Sequence, residues 1–141
     1  MPSANNQKEL TRLLDTVARL RGDDGCPWDR RQTPASIKKY LLEETRELAE
    51  AIDSSAPEHI REEIGDLFFI LTMLTTMYEE QGHFGIDEAL AGITEKMVRR
   101  HPHVFAGTKT GTDQELRRQW EKIKAGEKAN QTSTRTTSSQ P

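Results

Sequence analysis

The feature that most constrains this chain is a carboxylate placed where a solvated helix would not put it. Between Pro57 and Gln81 the residues Ile60, Ile64, Leu67, Ile70, Leu71 and Leu74 recur at helical spacing. Glu63 falls inside that stripe, about 40° from Leu67 on a helical wheel, and Asp66 sits at its edge. A lone buried carboxylate is costly unless it is paired or binds a cation. The preceding segment offers a matching pair. Ile37, Leu41, Leu48 and Ile52 form an apolar stripe, with Glu44 and Glu47 at about 60° and about 120° from Leu41 on one flank. Glu43 points nearly opposite. If the two helices pack antiparallel across the turn Asp53-Ser54-Ser55-Ala56-Pro57, four carboxylates converge. Four hard oxygen ligands suit Mg²⁺ or Mn²⁺, and Mg²⁺ usually brings a substrate phosphate with it.

Charge is segregated along the chain. From Glu43 to Asp66 nine acids stand against two bases, whereas from Lys96 to Lys124 eight bases stand against three acids. An acidic centre followed by a basic C-terminal part fits a metal site plus an anion-binding wall. The net charge of −3 gives no footprint for bulk nucleic-acid binding. The length of 141 residues predicts one domain with one modest core, and so polar a chain invites completion of that core by oligomerisation. Cys26 is the only cysteine, which agrees with a reducing cytoplasm. Met1 to Gln7 has no apolar signal core, and the longest apolar run, Leu67 to Leu71, is far too short to span a bilayer.

The pattern predicts five helices and no strands. The first covers Lys8 to Arg21, with Leu10, Leu13, Leu14, Val17 and Leu20 inward. A loop from Gly22 to Gln32 follows. Thr33 and Pro34 open the second helix as N-cap and first helical residue, and it runs to about Asp53. Ser55-Ala56-Pro57-Glu58 has the form of a capping box for the third, which stops at Gly82. After Asp66 this helix is apolar all round, which reads as a subunit interface. Asp87 caps a fourth helix, Glu88 to Arg100, with Leu90, Ile93 and Met97 inward and Lys96 and Arg100 flanking. His101 to Thr110 reads as a loop. Thr112-Asp113-Gln114-Glu115, a second capping-box pattern, opens a short fifth helix to about Lys124. Residues 1–7 and 126–141 are expected to be disordered, leaving a single domain over 8–125.

Three stretches resemble the MazG family of nucleoside triphosphate pyrophosphohydrolases, within the all-α nucleotide pyrophosphatase superfamily. They are Gly25-Cys26-Pro27-Trp28-Asp29 with Gln32-Thr33, the carboxylate set Glu43-Glu44-x-x-Glu47 with Glu63-x-x-Asp66, and Glu95 to Phe105 followed by Trp120-Glu121-x-x-Lys124. Acidic helices alone are common; the three stretches in this order are strongly specific. The resemblance implies an all-α bundle completed by homo-oligomerisation, as a homodimer or dimer of dimers. It implies metal ligands at Glu44, Glu47, Glu63 and Asp66, triphosphate contacts from Lys96 and Arg100, and nucleotide contacts from Trp120 and Lys124. The implied reaction is NTP + H₂O → NMP + PPi, a house-cleaning activity on non-standard or surplus nucleoside triphosphates. Many members carry two such domains in tandem, so regulatory features of the longer proteins do not transfer.

Each residue also has a plainer reading. Glu44 and Glu47 could form a solvated face beside Arg46 and Glu50. Lys96 and Arg100 could be helix C-terminal cations favoured by the macrodipole. Trp120 could be a packing anchor. Trp28 reads first as a packing residue of its loop, which could also close over a base. Glu43 is a candidate to support the ligand carboxylates from outside or to orient water as a base. Cys26 reads as structural, and His101 and His103 as loop packing or capping residues despite a spacing that could bind metal. Two other functions fit the same ligand set. One is a specialist pyrophosphatase for dUTP or phosphoribosyl-ATP. The other is a helical oligomer that binds metal and nucleotide without turnover.

Overall fold

The structure is a computed structural model that describes residues 2–138, with side chains through residue 131. It is all-α: seven helices and, among the described residues, no strand. Two compact units divide after Asp87.

The first unit contains α1 (Ala4–Leu20), α2 (Pro27–Arg31), α3 (Pro34–Ser54) and α4 (Pro57–Glu80), and α1, α3 and α4 build its core. Val17 of α1, Ile37 of α3, and Ile70, Met73 and Met77 of α4 are buried together, with Leu13, Tyr40, Leu41, Phe69 and Leu74 packed against them. The start of α3 is fixed locally. The Thr33 hydroxyl accepts from the Ser36 N–H while the Ser36 hydroxyl accepts from the Thr33 N–H, and Pro34 follows at a position that needs no donor.

The start of α4 differs from expectation. Ser55 forms no capping box; it ends α3 in the left-handed region at φ 59°, its N–H bonded to the Ala51 and Ile52 carbonyls. The N-cap is Ala56, with no side-chain bond. A tight reversal thus uses Ser55 to close one helix, and Pro57 alone presets the next. Gly82, at φ 77°, follows the end of α4, as expected of a residue without Cβ.

The segment expected to be a continuous loop from Gly22 to Gln32 contains α2. It is held by Arg21, whose side chain is 9% exposed. Its guanidinium donates to the Asp29 carbonyl at 2.6 Å, the Gln32 carbonyl at 3.2 Å and both Glu80 oxygens at 2.8 and 2.9 Å. One side chain therefore ties α1, α2 and α4. Gly25 is required here, because a Cβ would collide with the Leu20 carbonyl oxygen.

The second unit contains α5 (Ile86–Arg100, whose first turn spans the division), α6 (Pro102–Phe105) and α7 (Asp113–Ser138). Asp87 lies inside the first turn of α5 rather than capping it. A short helix occupies part of the expected loop after His101, and the Thr112 hydroxyl does accept from the Glu115 N–H at 3.2 Å. Expected to end near Lys124, α7 continues to Ser138; residues 139–141 of the expected loose tail lie outside the described residues. Leu90 and Ile93, expected inward, are exposed, as is Ile52 of α3. No helix among the described residues is long and apolar enough to cross a membrane.

Candidate metal centre and cationic pocket

The antiparallel reversal at Ser55–Ala56 brings the acidic turns of α3 and α4 together. Oxygens of Glu44, Glu63 and Asp66 lie within 4.8 Å of one another. Glu47 stands close enough to Glu44 and Glu63 to share a hydrogen bond with either once a proton is present. Three of the four carboxylates singled out by spacing therefore group closely, with Glu47 beside two of them. Glu43 is exposed and is not one of the grouped carboxylates.

Burial makes the cluster unusual. Glu63 is 7% exposed, on the apolar stripe that its position in the sequence implied. One oxygen of Glu44 and one of Glu63, the Oε2 atom in each case, are inaccessible and have no hydrogen-bond partner. Desolvation first, and then the negative charges of Glu47, Asp66 and Glu63, push the Glu44 carboxyl up to about 7. The same causes raise Glu63, opposed in part by His59, whose Nε2 lies 3.3 Å from Glu63 Oε1. His59 was not singled out from the sequence, although its i,i+4 spacing to Glu63 would have found it. Repulsion among carboxylates withdrawn from water calls for a cation, and two orphaned oxygens on members of one group of hard ligands fit a divalent one.

The second unit carries the opposite charge. Lys96, Arg99 and Arg100 of α5 and Lys124 and Lys128 of α7 line one cavity of about 460 Å³, with Glu121 and Glu127. Lys96, Arg100 and Lys124 are thus brought together as expected. Trp120 lies beneath Arg100, its ring centroid 5.1 Å from the guanidinium carbon, and meets the His101 ring edge-on at 5.2 Å. The His101 Nδ1 approaches the Met97 carbonyl and the His103 Nδ1 the Gln119 amide, so both histidines serve packing and local bonding. Sequence reasoning missed Arg99 and Glu127. Arg99 donates to Glu127 at 2.7 Å, and Arg100 donates to it at 2.8 and 3.2 Å. Hydrogen bonds from Arg100 and then Arg99 pull the Glu127 carboxyl down to about 2.

Trp28, in the first unit, meets Tyr40 edge-on with centroids 5.7 Å apart, the packing role its loop position suggested. Cys26 is the residue before α2 and is partly buried.

The chain has recognisable relatives. It is 42% identical over 122 residues to the nucleoside triphosphate pyrophosphohydrolase of Escherichia coli K12, which covers 86% of this chain and 46% of that protein. It is 42% identical over 123 residues to the nucleoside triphosphate pyrophosphohydrolase/pyrophosphatase MazG of Thermotoga maritima, covering 87% of this chain and 47% of that one. The chain thus spans less than half the length of these curated relatives. The crystal structure of a MazG-related protein from Thermotoga maritima superposes with a TM-score of 0.69 at 27% identity, covering 82% of this chain and 98% of that chain. The profile of the MazG nucleotide pyrophosphohydrolase domain matches residues 32–105, which include all four clustered carboxylates, Lys96 and Arg100. More than half of the sequence lies within that match, and the chain belongs to the MazG nucleotide pyrophosphohydrolase family.

Proposed function

We propose that the chain is a divalent-metal-dependent nucleoside triphosphate pyrophosphohydrolase that converts NTP and water to NMP and pyrophosphate. The observation that supports this reading most strongly is the pair of orphaned buried oxygens on Glu44 and Glu63 within the acidic cluster. Stable folds rarely leave such atoms without a partner. Glu44, Glu47, Glu63 and Asp66 would hold the ion, and their hard oxygens favour Mg²⁺, with Mn²⁺ as a substitute. Bound there, the metal neutralises phosphate charge and makes water a better nucleophile.

The chain's own groups do the remaining work. Glu63 and Glu44 are held by their helices, so the ligand atoms need little reorganisation when an ion arrives. Arg100 and Lys96 supply positive charge to the polyphosphate, with Arg100 offering a planar fork where Lys96 offers a point charge. Trp120 and Lys124 contact the nucleoside part. Glu43, on the solvent side of α3, orients water or a ligand carboxylate from outside the cluster. House-cleaning of non-standard or surplus nucleotides follows from the family's chemistry.

Homodimerisation belongs to the same reading. Ile64, Phe68 and Leu71 form an unpartnered stripe on α4, with Phe68 52% and Leu71 44% exposed. A second copy of this chain is the partner that covers it, because the stripe lies on the side of α4 away from Ile70, Met73 and Met77, so the core of the same subunit does not bury it. Light scattering should give a dimer or larger mass, and a strict monomer would contradict this.

The activity is tested by ion-chromatographic product analysis over standard, deoxy and damaged NTPs, with and without Mg²⁺. NMP plus pyrophosphate appearing only with metal is the expected result, and the rates across the panel rank the substrates. Products of NDP plus phosphate would contradict the proposed bond cleavage. Silence from a folded, metal-loaded protein would favour the non-catalytic binder.

A further inference from the structure

The cationic cavity contains one residue that does not belong to a simple anion site. Glu127 stands on α7 one turn beyond Ile123 and two turns beyond Trp120, on the half-buried face of that helix. Its side chain is 15% exposed, and it sits among five basic side chains. An apolar residue would continue the stripe at no electrostatic cost, so the carboxylate needs a reason.

Its bonds supply one. Glu127 Oε1 accepts from Arg99 Nε at 2.7 Å, while Oε2 accepts from Arg100 Nη2 at 2.8 Å and Nε at 3.2 Å. One carboxylate therefore holds two guanidiniums from consecutive residues, which would otherwise repel each other. The face of Arg100 is occupied as well, by the Trp120 ring. What stays available is specific: both terminal nitrogens of Arg99, and Nη1 of Arg100, make no hydrogen bond to any described residue. Glu127 takes Nε of Arg99 and Nε and Nη2 of Arg100, so the remaining nitrogens are the ones left for a ligand in a cavity that Lys96 and Lys124 also line.

We infer that Glu127 is a positioning residue for oligophosphate binding: it fixes the Arg99 and Arg100 guanidiniums side by side as a two-pronged clamp for consecutive phosphate groups. This rests on the proposal that the cavity takes the phosphate chain of the substrate, and it adds Arg99 to the side chains that grip it. Guanidinium groups bind phosphate oxygens through paired N–H bonds, so clamping them in advance removes the rotamer freedom that binding would otherwise remove. Because the carboxylate bonds to edges the phosphate does not need, it stays in place when the ligand arrives. A carboxylate that instead competed with phosphate would have to leave, and the two roles predict opposite effects of removing it.

The test is calorimetric binding of inorganic tripolyphosphate to the purified chain in a buffer containing a chelator, which keeps the metal centre out of the measurement. Wild type should bind. Glu127→Ala should weaken binding about tenfold with the helical signal in circular dichroism unchanged. Arg99→Ala should weaken binding severalfold in the wild-type background but by less than about twofold in Glu127→Ala, since the clamp is already open there. If Glu127→Ala does not fold, Glu127→Gln replaces it. The amide retains one acceptor oxygen and can hold one guanidinium, so an intermediate loss is expected. Binding as tight as wild type or tighter in either Glu127 variant would overturn the inference, as would an Arg99→Ala effect of equal size in both backgrounds. Absence of binding by wild type would overturn the phosphate reading of the cavity itself, and the inference with it, before any variant is compared.

Discussion

Glu63 and Glu127 are the same residue in two regions of the molecule, and they have opposite surroundings. Glu127 is ringed by bases and bonded to two guanidiniums, and its carboxyl is pulled down to about 2. Glu63 on α4 is buried beside three other carboxylates, with only the half-exposed His59 at 3.3 Å to offset them. Its neighbour Glu44 is pushed up to about 7 by burial first and then by the same carboxylate charges. A satisfied carboxylate is finished by the fold. An unsatisfied one records a partner the polypeptide does not supply, and here two such carboxylates, Glu44 and Glu63, group with Asp66 in a set of hard oxygens that could hold a divalent ion.

The contrast can be broken most sharply by mutation. Removing a proposed ligand, as in Glu63→Gln or Asp66→Ala, should lower the proposed NTP hydrolysis on the order of 100-fold or more, since metal affinity and phosphate neutralisation would be lost together. The same Glu63→Gln change should leave the metal-free thermal midpoint unchanged or raise it, because a repelled charge disappears. Wild-type rates in a folded Glu63→Gln protein would break the assignment. On the same helix, Phe68→Asp should give a monomer in light scattering where wild type gives the proposed dimer, because an ionised group on an apolar interface is not accommodated.

The pH dependence sharpens the comparison further. The raised Glu44 carboxyl contributes stability that is fully present below its unfolded value, about 4.5, and lost as pH rises through about 7. The metal-free midpoint should therefore fall between pH 5 and 8. With excess Mg²⁺ the gain in midpoint should grow over that same range, because the ion requires the ionised carboxylates. Glu127 and Glu80, both lowered, act in the other direction and in a separate window, losing their contribution only as pH falls below about 4.5. The smallest effect is the last: Glu127→Gln should lower the midpoint modestly and evenly from pH 5 to 8, whereas Glu44→Gln should lower it nowhere in that range. Differential scanning fluorimetry across the two pH windows checks both.

How much of this is legible in the sequence depends on how local each determinant is. The Thr33–Pro34 start of α3 is written in adjacent residues, and the structure has it there. The convergence of Glu44, Glu47, Glu63 and Asp66 follows from two helical periods and one short reversal, so spacing suffices. Ser55 misleads because a hydroxyl near a helix start and a left-handed residue at a helix end share the same local signal, and the tightness of the turn decides between them. Five-residue α2 has no periodicity to detect; Arg21 fixes it through partners as distant in sequence as Glu80. Arg99 and Glu127 were missed for the same reason. They are 28 residues apart, and nothing in either neighbourhood names the other. Exposure of Leu90 and Ile93 escapes a wheel diagram because periodicity shows which side of a helix is apolar and not what lies against it.

The most direct test of the central claim is calorimetric titration of Mg²⁺ or Mn²⁺ into metal-free wild type and into Glu63→Gln, both checked for helical content. The account predicts saturable binding by wild type that is stronger at pH 8 than at pH 5.5, and its loss in the variant with the fold intact. Equal affinity in the two proteins would mean that the buried carboxylates of α3 and α4 are not the metal centre.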